Sequence, residues 1–466
     1  MEDGSKRLAL LIDFGSTYTK ASVVDEEQGS LEAHAEAPTT IQDITLGLQA
    51  VLAEIHAQCG AQLGQFGRRL ACSSAAGGLR MVAVGLVPDL TAEAARMAAL
   101  GAGAKVLQTF AYDLSPEEGQ AIAELKPDLI LLAGGTDGGN RDCILHNARL
   151  LAGLPLQAPV IVAGNRKVAS RVADVLREGG KEARVTENVL PALGTLQIEP
   201  ARQAIRQAFL ERIVHAKGLD RAQSLVEQVV MPTPAAVLQA AELLAKGTDG
   251  IPGIGPFVLV DVGGATTDVY SLADGHPRQS GVVVHGLPEP FAKRTVEGDL
   301  GVRVSAQALL DAAGAGRISA ETGLPQEEVP GFMQRLSAHP EWVPRSPAER
   351  SHDQGLAQVC VDLAVTRHAG RLEQVYTPMG ASFIQHGKDL TGVEMVVGTG
   401  GPVIRAADPR AVLEKACYRP EEPLVLRPQA HRFLLDHDYV LAAAGLLAGV
   451  NPEAALRLMK QNLQEV

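Results

Sequence analysis

The chain has 466 residues, 46% hydrophobic and 21% charged, with 42 Lys and Arg against 54 Asp and Glu for a net charge of −12. This apolar fraction excludes wholesale disorder, and no run approaches the ~18 apolar residues of a membrane span. The acidic balance and an aromatic content of 3% exclude a basic, base-stacking surface for nucleic acid.

At roughly 150 residues per domain, the length predicts about three units. Along the chain, short β-rich runs end at glycine and pass into helical stretches. Leu8–Phe14 is the first strand, and the apolar run within it, Leu8 to Ile12, follows a polar start and stops at Asp13, too short for a signal peptide. Further strands are predicted at 128–133, 159–163, Phe257–Val262 and 395–397. This alternation predicts an α/β fold with largely buried sheets. Pro200 opens a helix with Ile205, Phe209 and Ile213 on one face and Gly218 as a stop. Thr233 caps another, opened by Pro234, which buries Val237 and Leu244 and stops near Gly247. Asn451 and Pro452 open the last helix. The Gly- and Pro-rich joint at 247–255 divides the chain into 1–247, with an inserted α/β segment, and 248–466. Residues 315–353, rich in Pro, Ser, Glu and His, read as an exposed helical insertion. The five cysteines (Cys59, Cys72, Cys143, Cys360, Cys417) form no CxxC pair. They predict thiols packed as small hydrophobes in a reducing cytoplasm.

One internal echo organises the rest. Leu10-Leu11-Ile12-Asp13-Phe14-Gly15 is matched, 248 residues on, by Val258-Leu259-Val260-Asp261-Val262-Gly263. Each is a buried strand ending in Asp-x-Gly, then hydroxyl residues, then a second strand. A repeat at half the chain length predicts two similar halves; the competing reading is coincidence between two common strand-turn patterns.

In the first copy, a hairpin turn would present backbone N–H groups and the Ser16 and Thr17 hydroxyls, with Tyr18 beside them. Gly15 admits the close approach of a phosphate oxygen. Asp13 is placed to hold Mg²⁺ through water, since Mg²⁺ takes few carboxylates plus phosphates. A solvated hairpin with Asp as a turn residue is the alternative. The second copy, Asp261-Val262-Gly263-Gly264-Ala265-Thr266-Thr267-Asp268, has two glycines that let the chain wrap a phosphate. There Thr266 is a hydroxyl donor and Asp261 a second candidate metal carboxylate. Two such loops facing each other across a cleft would hold a β/γ-phosphate from both sides. A third element, Gly398-Thr399-Gly400-Gly401, turns a buried strand into a helix and can let adenine and ribose lie on bare backbone. It is not the Rossmann fingerprint, because Val403 stands where the third glycine would be; a plain βα turn fits equally.

Two stretches stay open. The loop at 133–140 is either an anion nest or partner contact, or a turn into the helix after Arg141. Lys293, Arg294, Glu297 and Asp299 are either a solvated helix start or a nucleotide-contacting or domain-closing segment. The sequence lacks GxxxxGK[ST], HExxH and GxSxG. His437, between Asp436 and Asp438, reads as part of a helix cap rather than a zinc site.

The order of these loops resembles the actin, Hsp70 and sugar-kinase ATPase superfamily. The resemblance implies two ribonuclease-H-like lobes around an interlobe nucleotide cleft, with 232–244 and 438–447 as helices crossing in the hinge. A closer resemblance rests on longer motifs: Leu131-Leu132-Ala133-Gly134-Gly135-Thr136-Asp137-Gly138-Gly139-Asn140, Met231-Pro232-Thr233-Pro234-Ala235-Ala236-Val237, Gly286-Leu287-Pro288-Glu289-Pro290, and Lys293 through Gly301. These look like the glutamate mutase accessory family called MutL or GlmL, unrelated to the mismatch-repair protein of similar name. That resemblance implies ATP and Mg²⁺ as ligands and an adenosylcobalamin-dependent mutase as protein partner. The work would be reactivation or chaperoning, with nucleotide state setting lobe closure. It makes Asp13 and Asp261 the metal carboxylates and, with Asp268, the catalytic acids. It makes Gly15, Ser16, Thr17, Tyr18, Gly263, Gly264, Ala265, Thr266, Gly398, Thr399, Gly400 and Gly401 the nucleotide-binding residues. In the chaperone branch a Glu before Pro-Thr orients the attacking water. Here Met231 holds that place, which implies slow basal hydrolysis, with Asp268 or Glu187 as substitutes. The alternatives are a small-molecule kinase, a hydantoinase-type activation subunit, and a nucleotide-binding scaffold without turnover.

Overall fold

The computed structural model describes residues 7–15, 18–39, 44–74, 79–216, 228–378 and 380–466. They form two compact units. Unit 1 comprises Met1–Val237, Gly286–Pro288 and Gly445–Val450, and unit 2 the remainder.

Unit 1 runs β1 (Leu8–Phe14), β2 (Tyr18–Asp25), β3 (Ser30–Pro38), β4 (Arg68–Ser73), β5 (Arg80–Val84), β6 (Lys105–Phe110), β7 (Leu129–Leu132), β8 (Val160–Val162), β9 (Ala183–Val185) and β10 (Gln228–Pro232). One sheet has the order β10-β4-β1-β2-β3, with β1, β2 and β3 antiparallel in turn and β4 parallel to both β1 and β10. Numbered by appearance within the sheet, this is 3-2-1-4-5, the ribonuclease-H-like order. The insertion between β4 and β10 is a second sheet, all parallel, in the order β6-β5-β7-β8-β9. That is the doubly wound order 2-1-3-4-5. Parallel neighbours need crossovers, which the helices Glu93–Gly101, Pro116–Leu125, Asp142–Gly153 and Ala169–Glu178 supply. The wholly apolar β7 and β8 are buried throughout, as strands covered on both faces must be.

Unit 2 runs β11 (Phe257–Val262), β12 (Thr267–Leu272), β13 (Val282–His285), β14 (Ala292–Glu297), β15 (Arg371–Thr377), β16 (Gly380–His386), β17 (Met395–Thr399), β18 (Arg432–Asp436) and β19 (Leu463–Glu465). Its main sheet is β14-β12-β11-β17-β18-β19. The first five strands again read 3-2-1-4-5, with the same antiparallel and parallel senses. The echo in sequence is therefore a repeat of topology, and the protein is an α/β fold with two ribonuclease-H-like sheets. Strands β13, β16 and β15 form a small separate sheet.

The predicted Thr233 helix spans Thr233–Lys246 and buries Val237 and Leu244. Asn451 caps the Pro452–Asn462 helix by accepting the Ala454 N–H. A Cβ on Gly445, in the Val440–Ala448 helix, would lie 2.0 Å from the Ala236 carbonyl oxygen. Glycine there lets the two helix backbones touch.

Two readings need correction. The 315–353 stretch is not an exposed excursion. Val329, Phe332, Met333 and Leu336 follow the i, i+3, i+4, i+7 spacing of a buried helix face and enter the unit 2 core with Ile318. The charged run 293–297 is not a helix start but strand β14, with Lys293 and Arg294 buried. Among the described residues, no helix is long and apolar enough to cross a membrane.

Candidate functional site: two Asp-x-Gly hairpins

The first hairpin joins β1 to β2 in unit 1. Asp13 pairs across the ladder with Lys20, and Phe14 with Thr19. The Gly15 N–H donates to the Tyr18 carbonyl at 3.1 Å. A Cβ on Gly15 would sit 2.4 Å from that oxygen, so the turn closes only around glycine. Ser16 and Thr17 lie outside the described residues. Parallel pairing sets Asp13 beside Cys72 on β4, and Cys72 beside Met231 on β10. Asp13 Oδ1 accepts from Thr233 Oγ1 at 2.5 Å and from Cys72 Sγ at 3.5 Å. Burial pushes the Asp13 carboxyl above its ordinary range, against the opposing pull of Lys20, Thr233 and Cys72. Burial, then the Asp13 charge, pushes the Cys72 thiol well up. Cys72 is thus a protonated donor to Asp13 rather than a nucleophile.

The second hairpin joins β11 to β12 in unit 2 with the same register. Asp261 pairs with Asp268 and Val262 with Thr267, and the Gly263 N–H donates to the Thr266 carbonyl at 2.8 Å. The carbonyls of this loop are all engaged from one side. Gly263 O accepts from Val302 N, Gly264 O from Arg303 N at 2.9 Å, and Ala265 O from Ser305 Oγ at 2.6 Å. A Cβ on Gly301 would strike Ala265 at 2.5 Å. The N–H groups of Gly264 and Ala265 meet no acceptor among the described residues. A loop whose carbonyls are tied back while its N–H groups stay open suits an anion. Thr266 Oγ1 donates to Asp268 Oδ2 at 3.3 Å, and Asp268 Oδ1 takes Arg294 Nε at 2.7 Å and Nη2 at 2.6 Å. The two like-charged acids across this ladder therefore coexist because Arg294, from β14, neutralises one of them.

The glycine turn after β17 adjoins Asp261. Thr399 is its cross-strand partner on the parallel side. Gly400 has φ +90°, and a Cβ there would lie 2.2 Å from Val262 O and 2.7 Å from Asp261 Oδ1. Gly401 opens a one-turn helix. Gly398 has a packing role, since a Cβ would press on Leu413 and Val403. Thr399 Oγ1 donates to Asp436 Oδ2 at 3.0 Å, while Asp436 Oδ1 accepts the Val440 N–H at 2.8 Å. The acid beside His437 is thus a helix cap, as the sequence predicts.

Unit 2 accordingly gathers Asp261, Gly263, Gly264, Ala265, Thr266 and Asp268 with Gly398, Thr399, Gly400 and Gly401, and unit 1 gathers Asp13, Gly15 and Tyr18. Glu187 lies after β9 in the doubly wound sheet, bonded to Gln197. The 133–140 loop is a turn braced by Asn165 and Asn188. Asn165 accepts the Gly138 N–H and donates to Gly139 and Asn140 carbonyls; Asn188 donates to the Gly135 carbonyl. Sequence reasoning missed Cys72 as a partner of Asp13, Arg294 as a partner of Asp268, and the Arg303–Ser305 support of the second loop.

The model of the family described as MutL protein matches residues 9–463. The chain is 47% identical over 458 residues to Protein MutL of Clostridium tetanomorphum, covering 98% of this chain and 99% of that one. Among solved structures it is similar to nucleotide-free acetone carboxylase, at 16% identity and a TM-score of 0.40 over 95% of this chain and 70% of that one. It is also similar to the ADPNP-bound activator of 2-hydroxyisocaproyl-CoA dehydratase from Clostridium difficile, at 10% identity and a TM-score of 0.31 over 97% of each chain.

Proposed function

The chain belongs to the MutL protein family, and on that premise we propose that it is a Mg·ATP-binding accessory protein with slow intrinsic ATPase activity. We further propose that it reactivates a cytoplasmic adenosylcobalamin-dependent mutase, such as glutamate mutase. The observation that carries the nucleotide reading is the repeated hairpin. Two sheets of one topology each place an aspartate one residue before the strand end, followed by a glycine turn. The partner reading is supported by family membership, and the compartment by five cysteines without a disulfide.

Mg²⁺ suits this donor set. Among the described residues, no cluster of three His, Cys, Asp or Glu could form a protein cage, but Mg²⁺ bound to phosphate needs only one or two carboxylates. Glycine at position 400 keeps the flank of Asp261 free of a side chain. Asp13 and Asp261 are the proposed holders. The bound ion would offset phosphate charge. The open N–H groups of Gly264 and Ala265 would hold phosphate oxygens, with Gly263 shaping the turn. Thr266 would add its hydroxyl, aimed by Asp268 as a positioning residue. Gly15, Ser16, Thr17 and Tyr18 would serve as the matching loop, and Gly398 to Gly401 as the adenosine turn.

Slow turnover is supported by what lies at and near the two hairpins. Met231 cannot orient water or relay a proton, Cys72 is a bound donor, and Asp268 is engaged by Arg294 and Thr266. Without general-base help, worth roughly 10²–10⁴-fold, isolated protein should bind nucleotide far better than it hydrolyses it.

Calorimetric titration with Mg·ATP tests binding: Asp13→Ala and Asp261→Ala should each weaken it, and wild-type affinity in both would sink the assignment. Steady-state phosphate release without partner tests the rate; a value within the ordinary ~1–10³ s⁻¹ enzyme range overturns the Met231 argument. Mixing the protein with inactivated mutase, ATP and fresh cofactor tests partnership, and no recovery of mutase activity counts against reactivation.

A further inference from the structure

Three guanidinium groups converge on one carboxylate in a part of unit 2 that the nucleotide reading does not use. Asp362 lies buried in the Pro347–His368 helix. Its Oδ1 is 2.9 Å from Arg427 Nη1 and 2.6 Å from Arg419 Nη2, and its Oδ2 pairs with Arg317 of the Ala315–Thr322 helix. Arg427 is buried and structural: it also reaches Thr366 Oγ1, the Lys415 carbonyl at 3.1 Å and Glu422 at 3.1 Å. Arg317 and Arg419 differ. Asp362 is the one acceptor each meets among the described residues, and their side chains stay 35% and 29% exposed.

The charge balance is unusual for this unit. Elsewhere in unit 2 the buried arginines each have an acid to themselves, Arg294 with Asp268 and Arg303 with Asp353, the half-exposed Arg367 has both Glu297 and Asp299, and the buried Lys388 is held by the Ser271 and Phe291 carbonyls. Here two carboxylate oxygens serve three guanidiniums with five donors each. Adding Lys415 with Glu321, and Glu422, leaves four cations against three acids. Arg427 Nε is buried with no partner among the described residues. The strain is electrostatic. Burial and then the neighbouring Arg419 and Arg427 weaken Arg317's hold on its proton. Burial, then Arg419, brings Arg427 down to about 10. An excess of cations around one buried carboxylate is costly unless a further anion joins them.

The cluster is also apart from the glycine turns. β11, β17 and β18 are parallel. The second hairpin and Gly398–Gly401 follow the carboxyl ends of β11 and β17, whereas Arg419 and Arg427 precede β18 at its amino end. Leu426 accepts from the N–H of Leu390, which itself precedes β17.

We infer that Arg317 and Arg419, backed by Arg427, form a binding site for a phosphoryl dianion. The partly exposed guanidiniums of Arg317 and Arg419 suit the edges of a tetrahedral oxyanion, and its negative charge would offset the one cation left in excess. Both free phosphate and a phosphate monoester present this group.

The test uses the full-length protein saturated with a non-hydrolysable Mg·ATP analogue, so that the proposed nucleotide loops, including the γ-phosphate place, are filled, and titrates inorganic phosphate by calorimetry. One phosphate per chain is expected, with affinity falling about 10-fold or more in Arg317→Gln and in Arg419→Gln, each of which removes a charge-assisted fork. Arg427 keeps Asp362 paired in both, so both should fold. Arg419→Lys, which keeps the charge but not the fork, should give an intermediate loss. Glycerol 3-phosphate in a parallel titration separates the sources: competition with phosphate marks the ligand as an ester, and binding of phosphate alone marks it as the free ion. No saturable phosphate binding by the wild type, or equal binding by all three variants, overturns the proposal.

Discussion

The two hairpins share topology, register and an aspartate in the same place, but they stabilise that aspartate differently. In unit 1 the cross-strand neighbour of Asp13 is a cation, Lys20, and two uncharged donors from β4 and the Thr233–Lys246 helix complete the setting. In unit 2 the neighbour of Asp261 is a second acid, Asp268, and the compensating charge arrives from outside the hairpin, on β14. A repeated strand-turn unit therefore does not carry its electrostatics with it. Each sheet supplies its own compensation from the strands added beside it.

The largest test of that contrast removes the imported charge. Arg294→Met leaves Asp268 buried opposite Asp261 with no cation, and breaking such a pair costs about 3–5 kcal/mol. Urea unfolding should show a loss of this size, and Arg294→Met combined with Asp268→Asn should recover much of it. Equal stability for the single and double variants would show that Arg294 contributes by packing alone.

A smaller effect of opposite sign is expected at the first hairpin. The Asp13 proton is held more tightly in the folded than in the unfolded chain, because burial raises its folded value above the ordinary 3.8. The stability this group contributes is then present below that ordinary value and lost as pH rises through the raised one. At neutral pH the ionised carboxylate is a cost. Asp13→Asn should raise the apo melting temperature at pH 7, with the gain shrinking on acidification, while Mg·ATP binding weakens. Thr233→Val should act the other way. It removes a hydrogen bond to a charged group, typically about 1.5–3 kcal/mol, and moves the acid loss of Mg·ATP binding to higher pH. A melting temperature for Asp13→Asn below wild type at pH 7 would show the carboxylate to be a stabilising contact.

The sequence made the hairpins legible because their signals are local: buried runs, an aspartate, a glycine turn. It could not show that Cys72 and Thr233, 59 and 220 residues from Asp13, meet it there. That convergence depends on parallel pairing of β4 with β1 and β10, across an inserted sheet. The charged run misled because burial of Lys293 and Arg294 is tolerable only with Glu289 and Asp268 in place, and partners so placed carry no local signature. At 315–353 the signal was present in the spacing of Val329, Phe332, Met333 and Leu336, and the polar composition around it hid the buried face.

The smallest expected effect is spectroscopic and separates the two loops. The carbonyl of Gly264 holds the Arg303 N–H, and the Arg303 side chain donates through Nε to the Trp342 carbonyl at 3.0 Å, with its guanidinium carbon 5.0 Å from the centre of the Trp342 ring. Asp353 fixes the same guanidinium at 2.5 Å. The chain has a single tryptophan, so its emission reports on this support of the second hairpin. A cation over an indole face is held by the ring quadrupole within about 6 Å, and a shift of a few tenths of an ångström in the Gly264 backbone would alter the stacking. Saturating Mg·ATP should therefore change Trp342 emission, and Arg303→Gln should abolish the change while the nucleotide still binds. Thr266→Ala should shift its midpoint along with affinity. Unchanged emission in a protein shown by calorimetry to be saturated would mean that phosphate does not engage the Gly263–Thr266 turn, and the burden of binding would move to the first hairpin.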